Sequence, residues 1–202
     1  MENARLFFLL LGVLSYLTGC NSLTPTEIGA SEVGVVADPI AGSLTVLLPG
    51  SHLVDPTHTV TIYPTAVQSF TIHSASGSPY DAVTVRFADG EEAAIDASVL
   101  FLVDVANLTQ LYSSWQDRYL DDFILPTMRG VIRDIASQYT AEEMVGEALL
   151  TLEDEIQAEL ATRFGEQGLI VNDFLVRSIT FSDEFTQRME MQAIATQTAL
   201  PQ

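Results

Sequence analysis

The stretch "DAVTVRFADGEEAAIDASVLFLVD" (81–104) determines the architecture because it predicts two paired strands. Apolar residues alternate with polar ones over 83–87 and again over 95–103, and Asp89-Gly90 lies between the two runs. Alternation with a period of two is typical of strands that bury one face. The Asp-Gly pair favours the backbone conformation of a tight turn between antiparallel strands. We therefore expect a β-hairpin in this stretch.

Shorter apolar runs separated by turn residues precede the hairpin, and they predict further strands. These runs are "EVGVV" (32–36), "SLTVLL" (43–48), "THTVTIY" (57–63) and "VQSFTI" (67–72). After the hairpin the apolar period changes to 3.6, which is typical of amphipathic helices. One helical stripe runs from Leu108 to Tyr119, and a second occupies 119–138 with Pro126 as its start or as a kink.

The second half of the chain carries helix-capping signals. Thr140 and Glu143 match a capping box at the start of a helix that ends near Gly165. "LIVNDFLVRSITF" (169–181) returns to strand composition. Ser182, with the two acids that follow it, predicts the N-cap of a last helix.

The predicted elements follow in the order strands, helices, strand, helix. This order predicts an α+β domain over 32–181, with a mixed or antiparallel sheet and helices packed on one side. We expect one core in this domain. A short outgoing C-terminal helix over 182–202 follows it.

The first residues, "MENARLFFLLLGVLSYLTGC" (1–20), predict a signal peptide. Arg5 precedes an uncharged run from Leu6 to Thr18, which is shorter than the roughly 20 residues that span a bilayer. The ending Leu17-Thr18-Gly19-Cys20 resembles the lipobox of bacterial lipoproteins. The resemblance implies cleavage before Cys20 and a diacylglycerol on its sulfur, since only a thiol forms the thioether. The alternative is that Cys20 ends a transmembrane or core helix.

This interpretation divides the amino-terminal region into a signal peptide (1–19) and a flexible polar tether (20–31). It places the folded body on the extracytoplasmic side of the cell membrane, where acyl chains hold it. Asn21 stands where some bacteria use Asp to keep lipoproteins on the inner membrane. The outer membrane is therefore favoured in a cell that has two membranes.

The composition indicates a folded and strongly acidic protein. The 202 residues are 48% apolar and 17% charged, which suits a sizeable core. Asp and Glu number 27 against 8 cations, all of them Arg, for a net charge of −19. Such a surface repels phosphates and anionic lipid heads, so we expect no nucleic acid partner and no electrostatic hold on a membrane. Solubility explains the acidity, and adaptation to high salt is the alternative.

Several landmarks together resemble the SPFH domain of the prohibitin and stomatin family. They are "EVGVV", "LLPGSHLVDPTHTVTIYPTAVQSFTI", "FADGEEAAIDASVLFLVD", "LYSSWQDRYLDDFILPTMRGVIRDIASQYTAEEMVGE" and "RFGEQGLIVNDFLVRSITFSDEF", which span about 32–190. The resemblance implies a membrane-associated scaffold that forms homo-oligomers and organises other membrane proteins, including membrane proteases. It implies no catalytic residue. We also expect no cofactor.

The chain departs from the family pattern in two ways. Family members commonly use a transmembrane helix or an inserted hairpin, whereas a lipid on Cys20 is expected here. Many members continue into a long coiled coil. The outgoing helix here supplies barely two heptads before Pro201, which is too short for a sustained coiled coil. The oligomeric state of the protein therefore cannot be derived from this helix.

No motif for catalysis or metal binding stands out. His52, Asp55 and His58 have side chains that can bind zinc, but their spacing matches no strong zinc motif, and exposed loop and strand-edge positions explain them. Neither a G-x-S-x-G elbow nor a phosphate-binding G-x-x-x-x-G-K-[ST] loop occurs. We therefore expect no enzyme and no metal site.

Three functions remain in competition. The first is a lipid-anchored scaffold that oligomerises and organises membrane proteins. The second is a lipoprotein binding module for a small ligand or an envelope polymer. The third is an accessory subunit that regulates a membrane protease.

Overall fold

A computed structural model describes residues 23–74, 80–145 and 148–199. The chain divides between Ile62 and Tyr63 into two compact units. Each unit contains buried apolar residues. The predicted α+β class, the antiparallel strands and the C-terminal helix are confirmed.

The first unit is built from strands. They are β1 (Thr24–Ile28), β2 (Glu32–Ala37), β3 (Leu44–Leu47), β4 (Gly50–Val54) and β5 (Thr59–Pro64), of which β5 ends just beyond the unit. Strands β1 and β4 pair antiparallel, and β2 lies between β3 and β5 in a three-stranded sheet. The core of this unit is formed by Ile28, Val33, Val35 and Val54, all buried.

The prediction of a flexible tether over 20–31 is wrong for Thr24–Ile28, because these residues form strand β1. Ile28 is buried, and the Thr24 hydroxyl donates to the Val54 carbonyl over 3.0 Å. Pro25 lacks an N–H, which a strand tolerates at a sheet edge. The composition "TPTEI" is typical of a linker, and its pairing with β4 depends on residues far along the chain.

The second unit contains a four-stranded antiparallel sheet. Its strands are β6 (Gln68–Ile72), β7 (Val83–Arg86), β8 (Glu92–Val103) and β9 (Leu169–Phe181). One edge of β8 pairs with β6 and β7, and the other edge pairs with β9 along its length. The β7–β8 pair confirms the predicted hairpin, and Gly90 in its turn has a φ of +87°.

Five α-helices complete this unit among the described residues. They are α1 (Leu108–Trp115), α2 (Leu125–Ala136), α3 (Ala141–Val145), α4 (Ala148–Gly165) and α5 (Asp183–Ala199). Helix α4 packs on β9, and α2 packs on α4 and on β7. The apolar stripe of α4 is fully buried in this core, at Leu152, Ile156, Leu160 and Phe164.

Two arginines fix α2 to the strand beneath it. Arg133 donates from Nε to the Thr84 carbonyl over 3.1 Å, and Arg129 donates to the Asp81 carbonyl over 3.1 Å. Charged donors make stronger bonds to carbonyls than neutral ones. The helix is therefore held at the start of β7, by one carbonyl just before the strand and one within it.

The predicted helical stripe from Leu108 to Tyr119 is interrupted. Helix α1 ends at Trp115, and Gln116 takes the unusual angles φ 53° and ψ −128°. The Tyr63 hydroxyl donates to the Gln116 carbonyl over 2.7 Å, which holds this conformation. A π-helical turn, Leu120–Ile124, then leads into α2. The stripe predicted the burial of Tyr119 correctly but not the break before it.

We expect the Gln116→Gly substitution to stabilise the chain. Glycine adopts positive φ without the steric strain that glutamine carries, so the free energy of unfolding rises by about 1 kcal/mol. Urea denaturation of the full chain in mild detergent measures this gain. The control is Asp117→Gly at the neighbouring exposed position, where φ is not positive and glycine lowers stability by about 0.5 kcal/mol. Equal losses in both variants would show that Gln116 carries no strain.

Candidate interaction surface at the root of helix α5

Strand β9 passes directly into α5, and Ser182 caps the helix. The Phe185 N–H donates to the Ser182 hydroxyl over 3.2 Å, and the Thr186 N–H donates to the Ser182 carbonyl over 3.0 Å. Asp183 and Glu184 occupy the first turn, where the helix dipole favours negative charge. The predicted N-cap is confirmed.

Aromatic rings hold the first turns of α5 against the sheet. Phe181 lies 5.8 Å from Phe87 and 4.7 Å from Phe185, between ring centroids. Phe185 is only 6% exposed. The Arg188 guanidinium lies 5.6 Å from the centre of the Phe185 ring and pairs with Glu91 in the β7–β8 turn. These contacts set the direction in which α5 leaves the body.

Helix α3 begins beside the first turns of α5. The Thr140 N–H donates to Glu143 Oε2 over 2.7 Å, and the Glu143 N–H donates to the Thr140 hydroxyl over 3.3 Å, which confirms the capping box. The bond from the Thr140 backbone lowers the pKa of Glu143. Asp89 in the hairpin turn also caps α3, because its Oδ2 accepts from the Ala141 N–H over 2.9 Å.

An apolar groove of about 340 Å³ lies between α3, the end of β9 and α5. Its lining is formed by Val145, Phe181, Phe185, Thr186, Met189 and Glu190. Val145 is 55% exposed although it is apolar. We call this feature the α5 groove.

An acidic pocket of about 320 Å³ adjoins the α5 groove. Phe185 and Met189 line both cavities. Asp89, Glu91 and Glu142 line the pocket with one cation, Arg188, which already pairs with Glu91. At the first turns of α5, the apolar floor of the groove therefore adjoins a negatively charged border, which the pocket supplies.

The candidate lipidation site, Cys20, lies outside the residues that the structure describes. His52, Asp55 and His58 are engaged in local contacts. His52 Nε2 lies 2.7 Å from the Leu48 carbonyl oxygen, Asp55 accepts from the Thr57 N–H over 2.9 Å, and His58 lies 3.6 Å from Asp38. Within the described part of the chain, no group of three or more His, Cys, Asp or Glu is arranged to hold a metal ion.

Among the described residues, no helix combines the length and the apolar character needed to cross a bilayer. No local sequence pattern indicates the α5 groove, because Val145, Phe181 and Met189 in its lining lie on three separate elements.

The net negative charge of the protein should make its melting temperature depend on the salt concentration. Four of the eight arginines form ion pairs with carboxylates among the described residues, and the 27 acids of the chain outnumber its cations more than threefold. We expect the melting temperature to rise by several degrees between about 0.1 and 1 M NaCl, since the screening length falls from about 10 to about 3 Å. Thermal unfolding in NaCl and, as a control, in sucrose measures the effect. A flat response to NaCl would contradict salt adaptation.

The comparisons with known proteins agree on one family. The family model described as SPFH domain / Band 7 family matches residues 26–202. Prohibitin-1 of Saccharomyces cerevisiae is 27% identical over 176 residues, which cover 86% of this chain and 58% of that protein. Prohibitin 1 of Gallus gallus is 27% identical over 112 residues, or 55% of this chain and 40% of that protein. The chain thus spans about half the length of the curated relatives it matches.

Proposed function

The chain belongs to the SPFH domain / Band 7 family, and from this we propose that it is a lipid-anchored membrane scaffold that oligomerises and organises membrane proteins. The observation that carries the proposal is the extent of the family match, residues 26–202, which covers the first unit from within β1 onward and all of the second unit, α5 included. The proposal requires no catalytic residue, cofactor or metal.

The anchor that we propose is a diacylglycerol on Cys20, on the extracytoplasmic side. Each buried methylene contributes about 0.8 kcal/mol, and two chains suffice for stable attachment despite the acidic surface. Strand β1 begins at Thr24, so the folded body starts within about 14 Å of the Cα atom of Cys20 even when the intervening residues are extended. The first unit would therefore lie next to the membrane surface.

The surface of β1 and β4 is compatible with this placement. Leu53 is 68% exposed and lies opposite Pro25 in the register, so the two side chains share a face. Leu23, just before β1, is 48% exposed. Apolar side chains close to the lipidated end would meet the acyl and headgroup region rather than water.

Helix α5 supports the proposed assembly. Met191 and Ile194 are 63% and 65% exposed, and their spacing of three places them on one helical face. Because the aromatic contacts at Phe185 fix where α5 leaves the body, this face has a defined direction. Such a face can pair with the same face of a second copy.

Size-exclusion chromatography with light scattering of the full chain in mild detergent tests the proposal. A scaffold elutes as a large particle of defined mass. A monomer would favour the binding module for a small ligand or an envelope polymer. Crosslinking on intact membranes before extraction identifies the partners, and a membrane protease among them would support the accessory-subunit role.

A further inference from the structure

We propose that the α5 groove is the docking site for a basic amphipathic helix of a partner protein. The inference rests on the proposed scaffold function, because it names the chemistry of a partner that the scaffold gathers. The apolar face of such a helix would enter the groove, and its cationic side chains would meet the acidic border.

The floor of the groove is apolar and is formed mainly by regular elements. Phe185 and Met189 are one turn apart on α5, and Phe181 ends β9, so three lining residues lie on regular elements rather than on a loop. Phe185 is held between Phe181 and Arg188. A preformed groove loses little conformational entropy when it receives a ligand.

The border of the groove determines the charge of the occupant. Glu190 lines the groove and Glu142 lines the adjoining pocket, and neither forms an ion pair among the described residues. Asp89 and Glu91 add negative charge, which Arg188 offsets in part. Complementary charges across an interface speed association and reject partners of the same sign. The occupant is therefore basic.

The same charges disfavour two other occupants. A second copy of this chain carries 27 acids and 8 arginines, so it would bring carboxylates against Glu142 and Glu190. Anionic lipid headgroups would be repelled in the same way. A helix that presents leucine on one face and arginine on the other matches both the floor and the border.

Fluorescence anisotropy with three labelled peptides tests the proposal on the full chain in mild detergent. The first peptide is an amphipathic helix of leucine and arginine, the second replaces arginine with glutamate, and the third replaces leucine with serine. At about 150 mM NaCl we expect the first to bind at least tenfold more tightly than either of the others. Equal binding of the serine peptide would reduce the interaction to general charge attraction and overturn the proposal, as would no binding of the first peptide.

Variants locate the binding on the chain. We expect Glu142→Arg combined with Glu190→Arg to weaken binding of the first peptide at least tenfold. The control combines Asp154→Arg with Glu166→Arg, which changes the net charge equally at exposed positions outside the groove. This control should leave the affinity within about twofold, since distant surface charges are screened. Equal weakening in both pairs would overturn the proposal.

A third variant tests the apolar contact. Val145→Ser should weaken binding several-fold while the circular dichroism spectrum stays unchanged. Unaltered affinity would contradict binding in the α5 groove.

Particle size separates this inference from the scaffold function. The Glu142/Glu190 variant should lose the peptide but keep the particle size of the unmodified chain. A monomer that still binds the peptide would remove the scaffold proposal and leave the groove intact.

Discussion

Replacing Cys20 with serine is expected to move roughly nine-tenths of the chain from the membrane fraction to the soluble fraction, because serine cannot form the thioether that carries the acyl chains. The acidic body has no electrostatic affinity for anionic lipid that would compensate. Fractionation after an alkaline wash, together with incorporation of a labelled fatty acid, measures both attachment and acylation.

Asn21→Ser is the matched control for this substitution. It alters the adjacent polar residue and keeps the thiol, so the chain should remain acylated and membrane-bound. Retention of the Cys20→Ser variant in washed membranes would show that another part of the chain is the anchor. An intact Met1 in the mass spectrum of the purified protein would show that the signal is not removed.

Replacing Phe185 with alanine is expected to release α5 from the body and to break up the assembled particle. The ring is almost fully buried against Phe181 and lies beneath Arg188. Its loss creates a cavity and lowers the free energy of unfolding by about 3 kcal/mol. Hydrogen exchange of the α5 amides and light scattering of the particle measure the two effects.

Phe185→Leu separates packing from aromatic geometry. Leucine retains most of the apolar volume, so it should cost less than about 1.5 kcal/mol and preserve the particle. If α5 kept its exchange protection in Phe185→Ala, the ring would not determine the direction of the helix. If the helix were released but the particle persisted, assembly would depend on other surfaces.

The local signals of the sequence predicted the elements whose determinants are close in the chain. The hairpin depends on alternation around Asp89-Gly90, and the start of α3 depends on Thr140 and Glu143, three residues apart. The N-cap at Ser182 likewise depends on its immediate neighbours. Each of these was identified because the interacting groups share one short segment.

The features that the sequence did not reveal depend on residues far apart. Strand β1 exists because Ile28 is buried and Thr24 bonds to Val54, although its composition is that of a linker. Asp89 caps α3 across 52 positions of the chain. The break at Gln116 is held by Tyr63, which a helical periodicity cannot indicate.

The candidate sites divide in the same way. Cys20 is recognised from four consecutive residues, and it remains a prediction because it lies outside the described residues. The α5 groove exists only in the folded chain, because three separate elements bring Val145, Phe181 and Met189 together. A sequence pattern can therefore indicate a modification site, whereas a docking surface requires the fold.

Single-particle images of the full chain, extracted from membranes in mild detergent, test the central claim most directly. The proposed scaffold function predicts discrete particles of one size that contain many copies, with each acylated amino end on the same side. Images and mass measurements that showed only isolated, non-acylated single chains would contradict it.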